Sequence, residues 1–459
     1  MAGIAGISAP GRQATVEEML EKMSHRGGWG REVAEVAGTT LGVVWPRGVY
    51  VAQCAGSGVV RDTTGQGHRA EARAVNKGFV LTRNPIGVAP LYYGRTGEGL
   101  LCFASEVKAL LGLTEGVEEL PPGSSFDGTR LEAFFTLGVR EASCASPEQQ
   151  AAHLRRCLEE AVKRCIHREE MGSWLSGGLD SSAIASLARP QVRRLHTVVA
   201  GLGGAPDLGY ARQVADFIQS EHHEVVVSLE RMLGVLPKVI WHLESFDALL
   251  VRSSIMNYLA AECISQYVPE TFSGEGGDEL LAGYEYLKAL DSSKLAEELI
   301  DITGRLHNTA LQRVDRCAGA HGLVVHVPFA APEVFELAAR IPVEMKLRGG
   351  VEKWILRRAL DGSLPPAVLN RPKAKFWEGA GVGDLLARHA DGRISDGDYS
   401  RERALPNRWV LHSKEELMYY RIFREHFGDM KDLSWMGRTK GAPPRRAEAR
   451  GGSREDGEF

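Results

Sequence analysis

Ser176-Gly177-Gly178-Leu179-Asp180-Ser181-Ser182 follows the short run Met171 to Leu175 and opens the apolar-periodic segment Ala183 to Ala188. That order predicts strand, glycine turn and helix. Two glycines let the backbone bend tightly and bring its N–H groups close to a ligand, and serine hydroxyls surround a helix N-terminus that carries partial positive charge. Such a loop suits a phosphate chain. No Lys follows the glycines and the spacing differs, so it is not a Walker loop. Taken alone, a Ser/Asp N-cap after a glycine turn reads equally well.

The full string is similar to the pyrophosphate-binding loop of the ATP pyrophosphatase superfamily, whose members adenylate a substrate and release pyrophosphate. A second string, Ser273-Gly274-Glu275-Gly276-Gly277-Asp278-Glu279, follows the run Val268 to Phe272 and resembles the companion motif of asparagine synthetases. Further on, Arg371-Pro372-Lys373-Ala374-Lys375-Phe376-Trp377 is similar to the closing segment of the synthetase domain, and Val351-Glu352-Lys353-Trp354 to the stretch before it.

The chain has 459 residues, 44% hydrophobic and 25% charged, enough for two or three domains with substantial cores. A formal net charge of −4 gives no electrostatic case for nucleic acid, and no apolar run approaches the length of a membrane-spanning helix. The start, MAGIAGISAPGRQ, lacks the basic and apolar regions of a secretory signal. Seven cysteines without a CxxC pair fit free thiols in a reducing cytoplasm. A cytoplasmic protein without nucleic-acid or membrane partners is therefore expected, and a homodimer is an allowed assembly.

Residues 1–125 hold short β-like runs, including Leu41 to Val44, Phe79 to Thr82 and Leu100 to Ala104, between glycine-rich turns. Met1 to Ile7, His25-Arg26-Gly27, Arg83 to Gly94 and Phe103 to Leu111 look like landmarks of the N-terminal glutaminase domain of class-B asparagine synthetases, an Ntn-hydrolase-like domain. The departures are informative. In that family the residue after the initiator Met is a Cys whose thiol attacks the glutamine amide, whereas here it is Ala2. A methyl group forms no thioester, so position 2 reads as a degenerate nucleophile position and glutamine hydrolysis is expected to be absent. The family's asparagine-glycine-glutamate stretch has no counterpart, and Cys54 and Cys102 lie mid-chain without a free α-amine.

From Glu148 to Arg168 apolar residues recur at helical spacing. Beyond the central loop, Leu195 to Leu202, Tyr210 to Phe217, Val225 to Val227, Leu229 to Leu243, Ser254 to Ser265 and the strand ending at Phe272 alternate strand and helix. The pattern predicts an α/β fold in residues 126–435, a parallel sheet wrapped by helices with a helical subdomain after Tyr284, and the resemblance implies a doubly wound sheet of the ATP-pyrophosphatase type. Ligands gather beyond the carboxyl ends of such strands, so both glycine strings are expected to face one crevice. Residues 436–459 have almost no apolar content past Met436 and are expected to be disordered.

Activating a carboxylate with ATP needs a phosphate cradle, a divalent cation and a positive group near the α-phosphate. Ser176, Gly177, Gly178, Ser181 and Ser182 are the expected cradle; Asp180 and Asp278 are candidate Mg²⁺ ligands, as hard oxygen donors at two strand ends. Either acid could instead cap a helix or brace a loop. The resemblance implies that Lys373 faces the reacting phosphate, that Lys353 contacts phosphate, that Ser273 and Gly274 complete the nucleotide site, and that Glu275 takes a proton from the attacking nitrogen or holds the substrate amine. Surface positions for the lysines, and backbone bonding for Glu275, are the alternatives. Asp207 and Arg252 match the family too, though such residues often only cap and pair at helix ends. Val324, His326 and Ala331 stand where the family usually carries a glutamate, an arginine and an aspartate, which implies either another acceptor or a rewired contact.

The expected activity is an AMP-forming, asparagine synthetase-like carbon–nitrogen ligase. Its substrates would be ATP, a carboxylate such as aspartate, and ammonia or an amine, as in the β-lactam-forming relatives that also lack the cysteine. A catalytically silent nucleotide- or partner-binding relative and a glutamine-dependent asparagine synthetase remain as alternatives.

Overall fold

The computed structural model describes residues 1–46, 55–64, 68–138, 140–374, 376–383, 385–405 and 409–440. Its first part is a sandwich of two antiparallel sheets. Strands β1 (Gly3–Ile7), β2 (Gly30–Val36), β3 (Thr39–Trp45), β4 (Val59–Thr64), β5 (His68–Val75), β6 (Gly78–Arg83), β7 (Tyr92–Arg95), β8 (Leu101–Ala104), β9 (Glu118–Glu119), β10 (Ser124–Phe126) and β11 (Leu131–Ala133) are ordered 2-3-1-8-7-9 in one sheet and 11-10-6-5-4 in the other. Alternation along β6, with Phe79, Leu81 and Arg83 buried and the residues between them partly exposed, sends one face into the sandwich core. Ile4, Leu41, Val43, Leu81 and Phe103 share that core. Helix α1 (Gln13–Glu21) covers the outer face, with Val16 and Leu20 against Gly42 of β3.

The second part is the parallel sheet. Strands β12 (Glu170–Trp174), β13 (Arg194–Leu202), β14 (Glu221–Val227), β15 (Glu270–Phe272) and β16 (Val324–His326) are ordered 14-13-12-15-16. Every pairing is parallel, and the order reverses between β12 and β15, the switch point where a crevice forms. Around the sheet lie α2 (Pro147–Arg164), α3 (Leu179–Ala188), α4 (Pro206–Ile218), α5 (Leu229–Leu243) and α6 (Ala248–Ile264). The fold class is thus α/β, as the alternation implied.

Several boundaries differ from expectation: α4 begins at Pro206 rather than Tyr210 and β14 at Glu221 rather than Val225. The first helix of this part ends at Arg164 rather than Arg168, because Cys165 caps it and the chain turns into β12. Helix α6 starts six residues before Ser254, where the Asp247 carboxylate accepts from Leu250 N at 2.8 Å.

Downstream come α7 (Gly277–Leu280), α8 (Ser292–Gly304), α9 (Ala310–Gly319), α10 (Pro332–Arg340), α11 (Val343–Lys346) and α12 (Trp354–Ala359). Helix Lys414–Phe427 packs on α5, its Phe427 stacked on Trp241. The start of the tail is ordered, contrary to expectation. Met436 is buried, Arg438 pairs with Glu416, and Thr439 N donates to Asp247 at 3.2 Å. Burial of Met436 and these polar anchors hold it through residue 440; the rest of the tail lies outside the described residues, as does Cys54. Among the described residues no helix is long and apolar enough to cross a membrane.

Candidate active site

The two glycine strings leave the carboxyl ends of β12 and β15, which are hydrogen-bonded neighbours, and so meet. In the first, Gly177 turns with φ 70°, where a Cβ would lie 2.5 Å from Tyr210 Cβ and Ala211 N. Glycine is required there on both counts. Ser176 N donates to Ser181 Oγ at 3.2 Å, and Ser181 Oγ reaches Gly178 O at 3.2 Å, which folds the loop over the start of α3. Gly178 caps that helix without a side-chain bond, and the first N–H groups of a helix have no acceptor within it. Ser182, expected in the same cradle, is fully buried with its N–H bound to Gly178 O. Its hydroxyl is directed into the interior, because it falls on the inner face of α3.

The second string packs directly on the first. A Cβ at Gly274 would sit 2.6 Å from Ser181 N, so only glycine permits the approach. Ser273 is buried and its hydroxyl accepts from Glu275 N at 3.4 Å. Asp180 and Asp278 come together across this contact, and Lys353 Nζ touches both carboxylates. Lys373 Nζ also pairs with Asp278. Glu352 steadies the Lys373 backbone by accepting its N–H at 3.0 Å, while holding Arg357 at 2.6 Å.

The acids differ because their cations do. Burial raises the pKa of Asp180 further than Lys353 lowers it, whereas two lysines overcome burial at Asp278 and hold it down to about 2. Lys373 is raised above the ordinary lysine range by Asp278 and Asp180 despite burial. Asp180 Oδ1 is buried without a partner, a hard oxygen suited to a divalent cation. Among the described residues no group of three or more His, Cys, Asp or Glu could hold a metal. The acid pair fits Mg²⁺ only where phosphate and water oxygens complete its shell.

Glu275 pairs with Arg313 of α9, a partner that the sequence reading missed. Gln312, Arg313, Asp315 and Arg316 are all buried on α9, and charges in an amphipathic pattern ordinarily read as a solvent face. Asp207 pairs with Arg371 at 2.6 Å, and that guanidinium lies 4.0 Å over Tyr210 beside the first loop. Arg252 is remote in role, bound to Glu415 of the C-terminal helix. In the changed segment Val324 and Ala331 are buried, and His326 bonds Glu270 at 2.8 Å.

Ala2 is buried in the core between the two N-terminal sheets, its carbonyl accepting from Arg26 at 3.3 Å. Cys102 is fully buried, and burial pushes its thiol up to about 12.

A family model described as asparagine synthase matches residues 153–306 and 290–442, and one described as a glutamine amidotransferase domain matches residues 49–112. The chain is 33% identical over 378 residues to the glutamine-hydrolysing asparagine synthetase 2 of Arabidopsis thaliana, covering 77% of this chain and 65% of that protein. With a probable glutamine-hydrolysing asparagine synthetase of Schizosaccharomyces pombe it shares 34% identity over 391 residues, 76% of this chain and 70% of that one. It spans just under two-thirds of the Arabidopsis and rice relatives, 65% and 64% of their lengths. Similarity that runs through the parallel sheet and both of its glycine loops shows that the chain belongs to the asparagine synthetase family.

Proposed function

We propose that the protein is an ATP-dependent carbon–nitrogen ligase that adenylates a carboxylate, aspartate by analogy with its relatives, and passes the acyl group to ammonia or an amine. The observation that carries this reading is the meeting of Asp180, Asp278, Lys353 and Lys373 where β12 and β15 end. Ser176, Gly177, Gly178 and Ser181, with the first N–H groups of α3, bind the β and γ phosphates; Ser273 and Gly274 close the nucleotide site. Asp180 and Asp278 would hold Mg²⁺, which supplies charge neutralisation on the phosphates when bound. Lys353 and Lys373 carry ammonium groups whose alternative partners are phosphate oxygens. Lys373 stabilises the charge that grows on the α-phosphate as the substrate carboxylate attacks and pyrophosphate leaves. Glu275, oriented by Arg313, then accepts the proton of the attacking nitrogen or holds the substrate amine.

The nitrogen reading separates this chain from its named relatives. Position 2 carries a buried methyl and Cys102 a buried, protonated thiol, so neither offers a thiolate to open glutamine. ATP–pyrophosphate exchange with a panel of carboxylates, aspartate first, tests the ligase, and product formation with ammonium against glutamine tests the nitrogen source. Exchange that is silent across the panel while nucleotide still binds would replace the ligase with a binding protein. Glutamate released catalytically from glutamine would overturn the reading of Ala2 alone.

A further inference from the structure

Behind the second glycine loop, α7, α8, α10 and α11, with Leu137 and Ala142, line a half-open cavity of about 240 Å³. Its walls are mainly apolar, with Leu280, Leu299, Phe335 and Ile341 among them. Thr303, the partly exposed Arg140 and the exposed Glu344 also line it, and two charged side chains of that lining, Lys346 and Glu279, are buried. Lys346 is only 6% exposed and makes no hydrogen bond or ion pair among the described residues. Burial alone brings it down to about 8, so at neutral pH it still carries a proton in an apolar setting without a counter-charge. Glu279 takes the Tyr284 hydroxyl on one oxygen, while its Oε2 is buried without a partner.

A buried ammonium without an anion costs several kcal/mol, on the order of what a matched carboxylate returns. We infer that this cavity binds a small organic monocarboxylate with an apolar body, its carboxylate on Lys346 Nζ and its body between α8 and α10. An amine is repelled by the Lys346 ammonium, and an inorganic anion leaves the apolar walls uncovered. The inference goes beyond the ligase reading and does not rest on it.

Calorimetric titration of the full chain with phenylacetate, without nucleotide, tests it. The expected result is saturable binding that weakens about tenfold or more in Lys346→Met, the loss of one charge-assisted pair. Hexylamine and acetate are expected to bind at least about tenfold more weakly than phenylacetate, one lacking the anion and the other the apolar body. Leu299→Trp, which fills the cavity and leaves Lys346 in place, is expected to abolish binding; it serves as the test should Lys346→Met fail to fold. Absence of saturable binding, equal affinity in Lys346→Met, or undiminished binding in Leu299→Trp would each overturn the assignment.

Discussion

Lys353 sits with φ 52°, a left-handed backbone that costs a non-glycine residue about 1–2 kcal/mol. Its side chain explains why the position is held: fully buried, it lies between two carboxylates that would otherwise repel each other. Lys373 touches only one of them and is more open. The two lysines are therefore separable. Lys373→Met is expected to lower AMP formation about 10²–10³-fold, the usual effect of removing one group aimed at transition-state charge. Its melting temperature should stay close to wild type, since Lys353 still covers Asp278. Lys353→Met leaves Asp180 without a cation and is expected to cost about 3–5 kcal/mol in urea denaturation as well as activity. Equal stability of the two variants would refute the division of roles.

At the scale of elements, the site depends on a loop-to-loop contact more than on either loop. Gly274→Ala drives a Cβ into the backbone of Ser181, which cannot swing aside as a side-chain tip could. Nucleotide affinity measured by calorimetry should fall at least about tenfold while far-UV dichroism is unchanged. A milder change tests the sheet's outer helices. Gln219 ends α4 in an exposed left-handed conformation (φ 55°), so Gln219→Gly is expected to raise stability by about 0.5–1 kcal/mol, read as a higher urea midpoint. These elements also show what the chain's pattern reveals. Strand and helix alternation from Met171 to Phe272 was legible because each amphipathic helix keeps its period; α6 lost its first six residues in that reading because it is buried on nearly every face. The acids and lysines of the site were legible through their motifs. Arg313 and Glu352 were not, since each acts by holding another residue, and no local spacing marks such a partner.

Across the whole molecule, a buried ion network joins the sandwich to the parallel-sheet part. Arg26 reaches Ala2 O, Asp62, Glu106 and, across the boundary, Asp315 of α9. Arg316 of the same helix binds Glu106 and Glu244 at 2.9 Å, and Lys108 lies against both acids. The fully buried carboxylates Asp62, Glu106, Glu244 and Asp315 outnumber the side-chain cations Arg26, Lys108 and Arg316 by one, and the Met1 amine beside them, which burial brings down to about 6, does not make up the difference above that pH. Asp62 is the acid left over: its Oδ1 has no partner, its contact with Arg26 is 3.4 Å, and burial raises its pKa to about 6 against Arg26's pull. A raised carboxyl binds its proton more tightly in the folded chain. Its contribution to stability is therefore complete below the unfolded value near 4 and is lost as pH rises through about 6. The loss amounts to roughly 3 kcal/mol at most, since each tenfold gain in proton affinity on folding is worth about 1.4 kcal/mol. Asp62→Asn mimics the protonated form and should remove that slope. In urea denaturation the variant is expected to match wild type near pH 4.5 and to exceed it by about 1–3 kcal/mol at pH 7.5. Should the variant instead be the weaker protein at pH 7.5, Asp62 would be an ionised partner that Arg26 needs, and the count of charges at this boundary would have to be redrawn.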